Sequence, residues 1–134
     1  MIAVDTSALL AILLDEPEAE ACMDVLEAAD ALAISAGTMA EALIVAGRRD
    51  LGVEMRQLVE GLGFEVASVT PGTARRMAEA YARWGKGVHP AGLNFGDCFA
   101  YVLAIEHDAP LLYVGDDFSR TDVRPRPDSR RTGR

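Results

Sequence analysis

The first apolar run is short. Ile2, Ala3 and Val4 follow one another and then meet Asp5, Thr6 and Ser7. A brief continuous apolar run bounded by polar residues suits a buried strand, here over residues 1–5. The spacing then changes to helical over Ala8 to Leu14, with Thr6 or Ser7 as the expected N-cap. Asp15-Glu16-Pro17 breaks the pattern, and Pro17 fits the first turn of a second helix over about 17–29 that buries Ala21, Val25 and Leu26. Ala31 to Ser35 is a second short strand, Gly37 and Thr38 open a helix to about Arg49, and Gly52 to Leu62 is helical again, stopped by Gly61-Leu62-Gly63.

The alternation continues. Phe64 to Val69 is a third strand, and Thr70-Pro71 caps a helix over 71–84. Gly85 to Phe95 is the longest internal loop, a type of segment that often carries function. Gly96 to Glu106 is a strongly apolar helix, Leu111 to Val114 a fourth strand, and Thr121 to Arg124 a brief fifth. Strands alternating with helices predict a parallel sheet covered on both faces. Such sheets place their sites beyond the carboxyl ends of the strands. Asp5 and the Asp116-Asp117 pair both fall at positions of that kind.

Composition narrows the class. Half of the 134 residues are hydrophobic, enough for one domain with a real core. No run approaches a membrane span, and the start lacks the basic region of a signal peptide, so a cytoplasmic location is expected. Cys22 and Cys98 are isolated and read as small buried hydrophobes. The net charge of −8 is uneven. Residues 120–134 hold six Arg and two Asp, which leaves seven basic and 19 acidic residues, a charge of −12, on the rest. That body lacks the basic footprint of a general nucleic-acid binder. Either the acids form a solvated surface, or several gather around a cation.

Four acidic places stand out by context. Asp5 ends the first strand; because Thr6 and Ser7 offer a cap, site membership is the favoured reading. Glu41 follows Thr38 as Thr-x-x-Glu, and pattern alone favours a capping box there. Asp97 suits either a helix-dipole contact or a ligand. Asp116-Asp117 suits either a turn or a site. Carboxylates brought together repel unless protonated or bound to a cation, and an oxygen-only set suits Mg²⁺ or Mn²⁺. His89 and His107 lack metal spacing, and His107 reads as a helix-end dipole contact. Trp84 and Tyr81 are candidates for base stacking, with packing on the sheet the favoured use.

Four stretches in order, MIAVDTSALLAILLDEPEA, SAGTMAEAL, LNFGDCFAYVLA and LLYVGDDFSRTDV, resemble the PIN-domain family, and closely its VapC-type toxin ribonucleases. The resemblance covers about residues 1–124 and leaves 125–134 as a basic, flexible tail. It implies a three-layer α/β/α sandwich around a five-stranded parallel sheet. It also implies an endoribonuclease in which a water activated by Mg²⁺ or Mn²⁺ cleaves an RNA phosphodiester. Carried over by motif, the metal ligands are Asp5, Glu41 and Asp97. The fourth departs from the commoner pattern: Tyr113 and Gly115 stand in the Thr and acid places, which moves the acid to Asp116, with Asp117 as the alternative. Thr6 or Ser7 would hydrogen-bond a ligand carboxylate or bound water. The resemblance further implies a homodimer, a VapB-type antitoxin lying across the site, and tRNA or rRNA as substrate, with Arg48, Arg49, Lys86 and Arg120 as RNA contacts. A haloacid-dehalogenase phosphotransferase needs a second Asp where Ser7 stands, and a receiver domain needs an Asp after the third strand. The rival kept is a PIN-like binding module without catalysis.

Overall fold

A computed structural model of the chain describes residues 1–125. Four parallel strands, β1 (Ile2–Val4), β2 (Leu32–Ser35), β3 (Glu65–Ala67) and β4 (Leu111–Leu112), form one sheet in the order β3-β2-β1-β4. Ala3 pairs with Ala33 on one side and with Leu111 on the other. The chain builds outward from β1 to β2 and β3, then returns to place β4 on the opposite side. The strand order therefore reverses at β1, and Asp5 leaves the sheet at that switch point.

Among the described residues six α-helices cover the sheet: α1 (Thr6–Leu13), α2 (Ala19–Ala28), α3 (Ala36–Gly47), α4 (Gly52–Leu62), α5 (Pro71–Trp84) and α6 (Phe95–Glu106). Strand residues alternate between two cores, as a period of two demands. Ile2, Val4, Leu32, Ile34 and Leu112 pack with residues of α1 to α4, including Leu9, Leu26 and Met55. Ala3, Ala33 and Leu111 face α5 and α6. Alanines at the centre of that second face let α6 lie close, and α6 is buried almost continuously from Ala100 to Ala104. α5 instead buries one stripe, Met77, Ala80 and Trp84, and exposes Arg75, Arg76, Glu79 and Arg83.

Three sequence expectations change. Among the described residues the sheet has four strands, not five. The segment expected as a fifth reaches β4 through the Arg124 carbonyl, which accepts the Leu111 N–H at 2.9 Å, and one parallel bridge from Leu111 to Pro125. Pro125 has no N–H with which to extend a ladder. The second helix starts at Ala19, with Pro17 in the turn before it. Finally, the N-cap of α1 is Asp5 rather than Thr6 or Ser7: Asp5 Oδ2 accepts the Ser7 N–H at 3.0 Å. Most of the expected tail, residues 126–134, lies outside the described residues. No described helix is long and apolar enough to cross a membrane.

Candidate active site

Three helix N-termini meet beyond the carboxyl edge of the sheet, and each brings an acid. Asp5 is only 4% exposed. One of its oxygens caps α1, while Oδ1 is buried without any hydrogen-bond partner. A buried polar atom left unpaired costs free energy and asks for a partner. Burial is the main reason the Asp5 carboxyl rises from 3.8 to about 7; the Ser7 bonds oppose this, and the charges of Asp97 and Glu41 add to it.

Glu41 lies in the second turn of α3 and takes no part in capping. Ser35 caps that helix, its Oγ accepting the Gly37 N–H at 3.2 Å. The expected Thr38–Glu41 box therefore does not form. Thr38 is inside the helix and fully buried. The Glu41 carboxylate crosses to α1, where Thr6 Oγ1 donates to Oε1 at 2.7 Å. The same hydroxyl lies 3.3 Å from the Thr38 carbonyl, a weaker second acceptor. On its other side Glu41 presses against α6. A Cβ built on Gly96 would collide with the Glu41 carboxylate, its Cδ only 2.7 Å away. Glycine at 96 is thus what admits Glu41 to the start of α6. Sequence reading passed over this residue; a Gly in a helix's first turn beside a candidate ligand was the available signal.

Asp97 holds the N3 position of α6. Its Oδ2 accepts the Asn94 N–H at 3.0 Å, and Asn94 Oδ1 accepts the Asp97 N–H at 2.8 Å. This reciprocal box commits one carboxylate oxygen and leaves Oδ1 over. The Asn-x-x-Asp spacing was legible in the sequence. Burial again leads in raising the Asp97 carboxyl, the Asn94 amide opposes it, and the Asp117 and Glu41 charges add to the rise. Asp97 is therefore within the field of Asp117. The carbonyls of both aspartates close the turn into the 3-10 segment Phe118–Arg120, Asp116 accepting the Ser119 N–H at 3.2 Å and Asp117 the Arg120 N–H at 3.3 Å.

The remaining candidates divide by place. Ser7 Oγ accepts the Val114 N–H at 2.9 Å, tying α1 to the start of the acidic turn after β4. Arg120 reaches the Pro90 carbonyl at 3.3 Å, so it bridges that turn to the loop before α6. Lys86 lines an apolar cavity of about 610 Å³ with Val69, Tyr81, Phe95 and Phe99. Arg48 and Arg49 follow the C-terminal end of α3, at the opposite end of that helix from Ser35 and the acids. Trp84 and Tyr101 are buried and hydrogen-bonded to each other, which accounts for Trp84 as packing; Tyr81 is exposed. His107 caps the C-terminus of α6, its Nδ1 3.1 Å from the Leu103 carbonyl.

Four carboxylates around one sheet edge, one with an orphaned buried oxygen, form a hard oxygen donor set that fits Mg²⁺ or Mn²⁺. Among the described residues no three acid, His or Cys side chains already stand close enough to share an ion.

The PIN domain profile matches residues 2–124. The chain belongs to the PIN-domain family. Its relatives within that family are VapC ribonucleases. Ribonuclease VapC28 of Mycobacterium tuberculosis is 44% identical over 131 residues, covering 95% of this PIN domain chain and 98% of the relative. Ribonuclease VapC42 of the same species is 41% identical over 127 residues, covering 91% and 96%. Among solved structures, VapC20 of M. tuberculosis, described as a sarcin-ricin loop cleaving toxin, superposes with a TM-score of 0.77 at 17% identity over 95% of this chain and all of the other. FitAcB of Neisseria gonorrhoeae gives 0.68 at 19% identity over 96% and 98%. These two likenesses establish the shared PIN fold.

Proposed function

We propose that this PIN domain is the endoribonuclease toxin of a toxin–antitoxin pair, and that it cuts RNA with a divalent cation held by Asp5, Glu41, Asp97 and Asp117. Asp117 replaces Asp116 as the preferred fourth acid because its charge acts on Asp97. The observation that carries the reading is Asp5, which keeps an unpartnered buried oxygen within the field of Asp97 and Glu41 at the strand switch point. The names of the VapC ribonuclease relatives support the same chemistry.

Bound Mg²⁺ or Mn²⁺ would supply a Lewis acid for the phosphodiester and a lowered pKa for water. Asp5 Oδ1 and Asp97 Oδ1 are the oxygens free to hold the cation, since Oδ2 of each is committed to a helix cap. Thr6 fixes Glu41 through Oε1. That leaves Oε2, which leans on Gly96, to orient the attacking water and take its proton. Lys86, which lines the apolar cavity, and Arg120, which bridges the acidic turn to the loop before α6, would meet RNA phosphates. The apolar cavity beside the acids, with Phe95 71% exposed at its edge, offers a protein partner an anchor next to a negative site. An antitoxin segment that combines apolar side chains with a basic one fits that combination.

Purified, antitoxin-free chain incubated with structured tRNA and rRNA fragments tests the reading. Cleavage is expected with Mn²⁺ or Mg²⁺ and none with excess EDTA. Cleavage that ignores EDTA sinks it, and RNA binding without any cleavage points to the non-catalytic module instead.

A further inference from the structure

One hydrogen-bonded hub near the acids has no part in binding a cation directly. Tyr101 follows Asp97 by four residues on α6, so both leave the same face of the helix. Tyr101 is 7% exposed. Its hydroxyl accepts from Trp84 Nε1 at 3.0 Å and donates to Asp122 Oδ1 at 2.6 Å. Arg83 stands 3.6 Å from the other Asp122 oxygen and lies over the Trp84 ring, 4.4 Å from its centre. Asp117 acts on Asp97, and one helical turn further along Asp122 is bonded to Tyr101.

The chain between those two aspartates is knitted into a single turn. The Ser119 N–H donates to the Asp116 carbonyl at 3.2 Å, the Arg120 N–H to the Asp117 carbonyl at 3.3 Å, and the Thr121 N–H to the Phe118 carbonyl at 3.0 Å. Phe118 is buried within the α5–α6 core. These bonds run from Asp116 to Thr121, the residue before Asp122, so the turn links the backbone that carries Asp117 to the backbone that carries Asp122. The upstream end is fixed by the Val114 N–H on Ser7 Oγ. Downstream, Arg120 reaches the Pro90 carbonyl and the Arg124 carbonyl accepts the Leu111 N–H, and the buried anchor on α6 itself is Tyr101.

We propose that Tyr101 is a positioning residue: through Asp122 its hydroxyl sets where the 116–122 turn lies along α6, and so how Asp117 stands against Asp97. This rests on reading those carboxylates as a cation site. The hydrogen bond, rather than the charge on Asp122, is the operative link. Asp122→Asn keeps an acceptor for the tyrosine hydroxyl, whereas Asp122→Ala and Tyr101→Phe each remove the bond.

Mn²⁺ binding measured by electron paramagnetic resonance on the full chain tests this, with thermal melting recorded alongside. Wild type is expected to bind Mn²⁺, and Asp97→Asn serves as the control expected to abolish binding. Tyr101→Phe and Asp122→Ala are expected to weaken binding by about tenfold, a size typical of supporting contacts around a metal site. Asp122→Asn should stay within about twofold of wild type, and combining Tyr101→Phe with Asp122→Ala should add little beyond either alone. A purely structural role would lower the melting temperatures of Tyr101→Phe and Asp122→Ala while leaving Mn²⁺ affinity at wild-type strength. That result, with the Asp97→Asn control behaving, overturns the inference alone. Failure of wild type itself to bind Mn²⁺ overturns the site reading and this inference with it.

Discussion

At the scale of single residues, Asp5 does two things at once. Oδ2 completes the first turn of α1, and Oδ1 stays buried without a partner. Its carboxyl is raised to about 7 from 3.8. Between those values the folded chain holds a proton that the unfolded chain has released, so stability falls as pH rises across that window. Asp97, raised for the same leading reason, contributes with the same sign. The metal-free protein should therefore melt at a lower temperature at pH 8 than at pH 5. Asp5→Asn keeps a good N-cap and removes the buried charge. It should raise metal-free stability at pH 8 by about 2 kcal/mol, flatten that pH dependence and abolish Mn²⁺ binding. Calorimetric melts at the two pH values check all three together with a Mn²⁺ titration. Gly96→Ala makes a different demand. The added methyl needs the space that the Glu41 carboxylate fills. Cleavage should drop by about tenfold or more while the fold persists, because Glu41 sits at the edge of its helix and can swing away; near-normal turnover in kinetic assays would contradict the placement of Glu41.

At the scale of elements, Asp5, Glu41 and Asp97 enter the site from the cap or the first two turns of a helix and Asp117 from the turn after β4, and caps position Asp5 and Asp97. Asp97→Ala and Asp97→Asn separate the two roles. Both should abolish activity, but only the alanine variant breaks the box with Asn94, and it should lose a further ~1 kcal/mol in denaturant melts relative to the asparagine variant. The helices were legible almost in full, because apolar spacing, Thr70-Pro71 and the Gly63 stop leave local marks; Gly63 indeed ends α4 at φ +68°. The caps were read less well. Asp5 was expected to be free because Thr6 and Ser7 could cap α1, yet Asp5 itself caps while Thr6 and Ser7 turn to Glu41 and Val114. Those bonds span 35 and 107 residues, and no local pattern announces contacts at such separation. The fifth strand failed for a local reason that was visible, the proline at 125. Choosing between Asp116 and Asp117 was beyond the sequence, since adjacent residues in a turn point different ways and only the folded chain brings the charge of Asp117 to bear on Asp97.

At the scale of the whole molecule, an acidic body carries an acidic site at the strand switch point, flanked by apolar surface. That combination suits a cation-bound nuclease and a basic protein partner better than unaided RNA binding. A cognate antitoxin should bind more weakly as salt rises toward 1 M, but retain a salt-resistant part from the apolar cavity near Phe95; isothermal titration at stepped ionic strength reads both. The central claim is that Asp5, Glu41, Asp97 and Asp117 share a divalent cation. Anomalous diffraction from crystals soaked in Mn²⁺ tests it most directly. The account predicts a peak within about 2.2 Å of carboxylate oxygens of Asp5 and Asp97, with Glu41 and Asp117 facing it. A well-diffracting soaked crystal with no peak between these acids, or with manganese bound only elsewhere, would contradict it.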